Sequence, residues 1–88
     1  MPLTDMGRDP LASTTELRWQ MTDGEKAVVV STTVDVIYAM EPGATDPAIS
    51  RFERFRPQFA AVASRKFDAG KIEDSGMVRV LQPDLYAF

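Results

Sequence analysis

Apolar and polar residues alternate along residues 15–22 more clearly than anywhere else in the chain. One face of this segment carries Leu17, Trp19 and Met21. A period of two is typical of a half-buried strand. Asp23-Gly24 follows, a dipeptide that favours a two-residue type I′ hairpin turn, and residues 26–30 supply a second strand. The pattern predicts an antiparallel hairpin in which Trp19 lies opposite Val28 and both side chains face the core.

Residues 31–40 fit two secondary structures. Their β-branched residues favour a strand. Apolar side chains nevertheless recur at helical spacing, at Val30, Val34, Ile37 and Tyr38. Ser31 or Thr33 could cap a helix, Asp35 suits its first turn, and Glu41-Pro42-Gly43 would end it. We predict a short helix here.

The strongest helical periodicity spans residues 46–69. Its apolar arc consists of Ile49, Phe52, Phe59, Ala60, Ala63 and Phe67, widened by Phe55 and Val62. Asp46 fits the N-cap, Pro47 the first helical position and Gly70 the C-cap. Pro57 cannot donate a helical hydrogen bond, so we expect either a kink or two successive helices.

The remaining segments complete an α+β domain. Residues 77–82 are predicted to form a third strand, followed by a short turn at Pro83-Asp84. Residues 1–14 show no periodicity and are expected to form an arm that is flexible unless Leu3, Met6 or Leu11 is held. The prediction is a single domain over residues 15–88, with a three-stranded antiparallel sheet and helices packed on one of its faces.

One stretch resembles a known family. The resemblance rests on a pattern of residues between positions 52 and 85. The pattern consists of Phe52 and Arg56, then Ala63 and Lys66-Phe67, then the strand Met77–Leu81 and the pair Asp84-Leu85. Over residues 15–86 the chain resembles the small bacterial proteins of the domain of unknown function 1488 family, although Pro57 departs from that pattern. The resemblance implies an α+β fold, a bacterial source and a helix after Ser31. It implies no assigned activity and supplies no catalytic residues.

Composition restricts the chemistry. The 88 residues include 13 acidic and 10 basic side chains but no cysteine and no histidine. A disulfide, a thiolate nucleophile and an imidazole acid–base pair are therefore excluded, as is a structural zinc site of Cys and His ligands. The hydroxyls of Ser31, Thr32 and Thr33 would need a Lys or carboxylate base, and capping explains them better. We expect no enzyme activity and no cofactor.

Metal and membrane binding are not expected either. The acidic pairs Glu73-Asp74 and Asp5/Asp9 lack the spacing of a calcium loop. No window of about 18 apolar residues exists, and charges occupy the positions where a signal peptide would be apolar. These features predict a cytoplasmic protein.

Basic residues concentrate on the long predicted helix. Residues 48–66 carry a net charge of +4, and the rest of the chain carries −7. Arg51, Arg54 and Arg65 lie within roughly 60° of one another on a helical projection, opposite the phenylalanines. They are candidates for docking phosphate or an acidic partner; the alternative is an ordinary solvated face.

Two functions are compatible with these observations. The first is a non-catalytic protein-interaction or regulatory module that binds an unidentified protein or a second copy of itself, burying a sheet edge. The second is a nucleic-acid accessory protein that uses the arginines. A net charge of −3 makes nucleic acid the less favourable partner.

Overall fold

A computed structural model of the chain describes residues 3–40, 43 and 45–87. It is an α+β structure, as predicted. The strands are β1 (Thr4–Asp5), β2 (Leu11–Ala12), β3 (Glu16–Thr22), β4 (Ala27–Thr33) and β5 (Val78–Val80), and the helices are α1 (Val34–Met40), α2 (Ala48–Asp68) and α3 (Gln82–Ala87). The sheet has five strands where three were expected. Its order is β1-β3-β4-β5, and β2 also pairs with β3.

The β3–β4 hairpin has the predicted faces but a different register. Trp19 lies opposite Val30, not Val28, so the predicted pairing is wrong by two residues. The cause is the turn, because the Asp23 carboxylate accepts hydrogen bonds from the N–H groups of Glu25 and Lys26, both at 2.9 Å. This local bonding makes a four-residue loop instead of a two-residue turn. A shift of two keeps each side chain on its face, so Trp19 remains buried.

The described part of the N-terminal arm is held against the domain, because one of its three possible anchor residues is buried. Leu3 is buried, and its N–H donates to the Ser64 hydroxyl at 3.1 Å. Strand β1 then pairs with Met21 and Thr22, and β2 pairs with residues 17–18 of the same strand. Residues 4–5 and 11–12 therefore extend the sheet along one edge of β3.

Strand β4 is longer than predicted, and α1 begins correspondingly later. Ser31 and Thr32 belong to the strand, which continues to Thr33, so the prediction of helix from residue 31 is wrong for these positions. The Thr33 hydroxyl accepts a hydrogen bond from the Val36 N–H at 3.2 Å, which makes Thr33 the N-cap. The stop expected at Glu41-Pro42 lies outside the described residues.

Helix α2 is one continuous element that includes Pro57, so two successive helices do not form. Its N-cap is Pro47, one residue later than predicted. At the other end the Gly70 N–H bonds to the Phe67 carbonyl and the Lys71 N–H to the Lys66 carbonyl, while Gly70 has φ +75°. These two bonds form a Schellman motif, which is why glycine follows the helix.

The C-terminal part differs from the prediction in three respects. The strand predicted over residues 77–82 is limited to Val78–Val80, and Gln82 already belongs to helix α3. Strand β5 pairs with β4 in parallel, because α1 and α2 form a crossover between them that returns the chain to the same end of the sheet. The expected turn at Pro83-Asp84 is instead part of helix α3. Asp84 Oδ2 accepts the Leu81 N–H at 2.8 Å, as a carboxylate at the third helical position does.

The core lies between the sheet and the helices, on one face only. Trp19 of β3 contacts the rings of Phe52 and Phe59 on α2, with centroid separations of 4.7 and 6.1 Å. Val28, Val30, Val78 and Val80 extend this layer across β4 and β5, and all four are buried. Ile49, expected in the apolar arc, is instead 42% exposed.

Candidate interaction surface

The predicted arginine group does not form one exposed surface. Arg51 is only 6% exposed, so its assignment to a solvent-facing stripe is wrong. Its Nε donates to the backbone carbonyl of Asp46 at 2.9 Å, and its guanidinium lies 4.6 Å from the centre of the Tyr38 ring. Helix α1 thus covers Arg51, and a projection of α2 alone could not show that.

Arg54 and Arg65 remain at the surface but lie apart. The Arg54 guanidinium pairs with the Asp46 carboxylate and, by hydrogen bonding to it, lowers the pKa of that carboxyl. Arg65 is exposed near the opposite end of α2, about 16 Å further along the helix at a rise of about 1.5 Å per residue. The structure brings Arg51 and Arg54 together at Asp46 and separates them from Arg65.

Arg56, which the sequence analysis did not single out as a polar contact, anchors the arm. Its Nε and Nη2 atoms contact the two carboxylate oxygens of Asp5 at 2.6 and 3.0 Å, and Nη2 also donates to the Arg8 carbonyl. Partial burial acts to raise the pKa of Asp5, but the hydrogen bonds from Arg56 and from the Gly7 N–H have a larger opposite effect, so the pKa is lowered overall. A forked contact of this kind fixes position as well as charge.

A second ion pair fastens α3. Lys66 Nζ lies 2.8 Å from Asp84 Oδ2 and also donates to the Arg79 carbonyl. Burial favours a raised pKa for Asp84, and the bonds from Lys66 and the Leu81 N–H outweigh it, so the pKa is lowered. Phe52, Arg56, Lys66 and Asp84, all members of the family-like pattern, therefore serve packing and tethering in this structure.

The hydroxyls and acidic pairs are not assembled into a reactive site. Thr33 caps α1, Ser31 is buried, and the Thr32 hydroxyl has no hydrogen-bond partner within residues 3–40, 43 and 45–87. Asp5 is bound by Arg56, and Glu73 lies 3.7 Å from Arg79. Across the described part of the chain, no group of three or more acidic side chains is positioned to hold a metal ion.

Strands β2, β3, β4 and β5 together build the side of the sheet that faces away from the helices. We call it the bare face, and it comprises Leu11, Glu16, Arg18, Gln20, Ala27, Val29, Ser31 and Arg79. These residues share a face because cross-strand partners in register point to the same side. Leu11 is 77% exposed and Val29 36%. Two large apolar side chains are therefore presented to solvent among smaller and polar ones.

Charges of both signs alternate on and beside the bare face. Glu16 pairs with Arg18 at 3.0 Å, and Glu73, in the loop before β5, lies 3.7 Å from Arg79. The hydrogen bond from Arg18 and the positive charges of Arg18 and Arg79 lower the pKa of Glu16. Ser31 lies in register between the two arginines and is only 1% exposed. The charges of Glu16, Arg18, Glu73 and Arg79 sum to zero.

Two grooves border the centre of the bare face. One, of about 360 Å³, extends from Arg18 and Val29 toward the arm, where Leu11 lines it. The other, of about 440 Å³, extends from the same two residues toward Ile72 and Met77. Arg18 and Val29 thus separate two depressions whose walls combine apolar side chains with the charged groups of Arg8, Asp9 and Lys26.

The edges of the sheet are less accessible than its bare face. In β5 the Arg79 carbonyl accepts from Lys66 Nζ, and just before it the Met77 carbonyl accepts from the Glu73 N–H at 2.8 Å. At the opposite side, β1 and β2 occupy the edge of β3. Occupied carbonyls and short edge strands discourage the addition of another strand.

Comparison with known proteins identifies a similar fold. A solved structure of a protein of unknown function from the DUF1488 family of Shewanella loihica PV-4 superimposes with a TM-score of 0.78, covering 90% of this chain and 91% of that one, at 12% sequence identity. The chain is thus similar in fold to a DUF1488 protein, as the sequence resemblance implied. No family model matches the chain. No curated protein matches it.

Among the described residues, none of the helices combines the length and the apolar composition needed to cross a bilayer.

Proposed function

We propose that this chain is a non-catalytic, cytoplasmic protein-interaction module that binds its partner through the bare face. The observation that supports this proposal is the exposure of Leu11 and Val29 on a sheet whose other face is fully packed against helices. Apolar side chains within a polar surround are typical of protein-binding surfaces. The absence of cysteine and histidine from the sequence favours binding over catalysis.

Binding through the face is favoured over binding through an edge. An added strand needs free backbone groups, and the carbonyls of Met77 and Arg79 already accept hydrogen bonds. A partner packed on the face would contact side chains instead. Its apolar groups could enter the grooves on either side of Val29 without changing the backbone pairing.

The nucleic-acid alternative has weaker support from the structure than from the sequence. It depended on Arg51, Arg54 and Arg65 acting together, and Arg51 is buried while Arg54 pairs with Asp46. The bare face offers arginines as well, but acidic groups neighbour them. A polyanion would meet repulsion there in addition to attraction.

The test is affinity capture from extracts of the source cells with tagged chain as bait, followed by mass spectrometry. Val29→Glu places a charge at the centre of the bare face, and Gln58→Glu makes the same charge change on exposed α2. We expect at least one protein, an untagged copy of the chain included, to be retained by the wild type and by Gln58→Glu but lost with Val29→Glu. Equal retention by all three baits, or none beyond background, would contradict the proposal.

A further inference from the structure

We infer that the partner on the bare face is a second copy of the chain, packed sheet to sheet around a twofold axis. This inference rests on the proposed function, because it assigns the partner of the same surface. In such a dimer each copy contributes the same patch, so the patch must be complementary to itself. The arrangement of charge on the bare face meets that requirement.

The complementarity comes from opposite charges at neighbouring positions. Arg18 and Glu16 are two residues apart on β3, and Arg79 and Glu73 repeat the arrangement beside β5. Rotation of one copy onto another can place each arginine near a carboxylate of its partner. A uniformly acidic partner would be opposed by Glu16 and Glu73, and a uniformly basic one by the arginines.

The apolar residues occupy suitable positions for such a contact. Val29 lies between the two grooves, and Leu11, on β2, projects at the side of the face with 77% of its surface exposed. A Leu11 side chain from one copy can contact the apolar side chains of Ile72 and Met77 in the second groove of the other copy. Face-to-face packing of sheets is a common architecture in which side chains of the two surfaces interdigitate.

The area required is within reach of a molecule of this size. A standard interface takes about 800 Å² from each partner, roughly 15% of the 5256 Å² that this chain exposes. One broad face of a body measuring 38 × 26 × 21 Å offers that share. The bare face is thus large enough without the helices or the sheet edges.

The decisive experiment reverses charge on the bare face. Glu16→Arg gives the four-charge group a sum of +2, and Arg18→Glu gives it −2. Each variant alone should repel its own copy, whereas an equimolar mixture of the two should associate. Sedimentation of the wild type, both variants and the mixture is measured from about 1 to 200 µM, which brackets micromolar affinity. Gln58→Arg and Gln58→Glu introduce a single charge of either sign on exposed α2 and serve as controls for charge placed elsewhere on the molecule.

We expect the wild type, both controls and the mixture to approach twice 9.8 kDa, and each single variant to associate at least tenfold more weakly. Circular dichroism checks the fold, and Glu73→Arg with Arg79→Glu provides an equivalent pair if either first variant fails to fold. A wild type that is monomeric throughout, a dimer unaffected by both reversals, or a mixture that does not recover would each overturn the inference. If the chain is monomeric but the extract experiment finds another protein that depends on Val29, the proposed function stands and only the self-association is excluded.

Discussion

The two faces of the β3–β4 pair share one backbone, but their side chains lie in different surroundings. On the covered face Trp19 meets Phe52 and Phe59, and their side chains are at most 2% exposed. On the bare face, Arg18 directly precedes Trp19 on β3, and Val29 directly precedes Val30, the partner of Trp19, on β4. Both side chains remain exposed to solvent. Because strand side chains alternate, one sequence segment can specify both the core and a surface that the fold itself does not need. Substitutions on the two faces should therefore differ sharply in their effect on folding.

The largest effect is expected from Phe59→Ala. Phe59 is fully buried, so its truncation leaves a cavity and should lower the free energy of unfolding by about 3–5 kcal/mol, against a total of about 5–15 kcal/mol for a small domain. Chemical denaturation followed by circular dichroism measures it. Ile49→Ala on the same helix, where the side chain is 42% exposed, should cost less than about 1 kcal/mol. Equal losses would mean that α2 packs through a different face.

A smaller loss should follow Arg56→Met, which removes the anchor of the arm. Asp5 then keeps its charge in a partly buried position without the guanidinium, and we expect about 1.5–3 kcal/mol of destabilisation. Limited proteolysis should also cut residues 6–10 sooner. The matched control is Arg54→Met, since the Arg54–Asp46 pair is more exposed, and it should cost under about 1 kcal/mol. Similar values for both variants would argue against a tethering role for Arg56.

The elements that could be predicted from the sequence are those set by local periodicity. Alternation identified the buried side of β3, and the 3.6-residue repeat identified α2 and the burial of Phe52 and Phe59. Thr33 could be named as one of two possible caps because the chemistry of a cap is local. The same period of two puts Arg18, which lies between Leu17 and Trp19, on the opposite face of the strand.

The remaining features depend on contacts between distant residues. The pairing of the two-residue strands β1 and β2 is accompanied by the Asp5–Arg56 contact across 51 positions, and the burial of Arg51 depends on Tyr38 of another helix. The parallel direction of β5 follows from the crossover, which no pattern within β5 reports. The candidate surface was missed for the same reason: it exists only when four strands are assembled and the helices all pack on the other side.

Acidification tests the contribution of the Asp5–Arg56 and Asp84–Lys66 ion pairs to stability. The pKa values of Asp5 and Asp84 lie below the ordinary 3.8, so the unfolded chain takes up these protons at higher pH than the folded one. The stability they contribute is present in full above about pH 5 and is lost as pH falls through the ordinary value and then the folded one. Denaturation midpoints between pH 7 and pH 3 should show this decline.

The double variant Asp5→Asn with Asp84→Asn is the control for the acid effect. Its midpoints should start lower at pH 7 and fall less steeply, with a residual slope because Asp23 and Asp46 also have lowered pKa values. An unchanged slope would show that other groups cause the acid sensitivity.

The smallest effect on folding is expected on the bare face, for Arg18→Ala. The Arg18 side chain is 52% exposed, and its contact with Glu16 is a surface ion pair, which contributes at most about 1 kcal/mol and often nothing measurable. We therefore expect the free energy of unfolding to change by less than about 0.5 kcal/mol in dilute protein, where association adds nothing to apparent stability. Repeating the denaturation at high concentration separates the two roles: if copies pack on this face, the wild type gains stability with concentration and Arg18→Ala gains less. A loss above about 1.5 kcal/mol in the dilute sample would mean that Arg18 belongs to the packed part of the fold, and the contrast between the two faces would not hold.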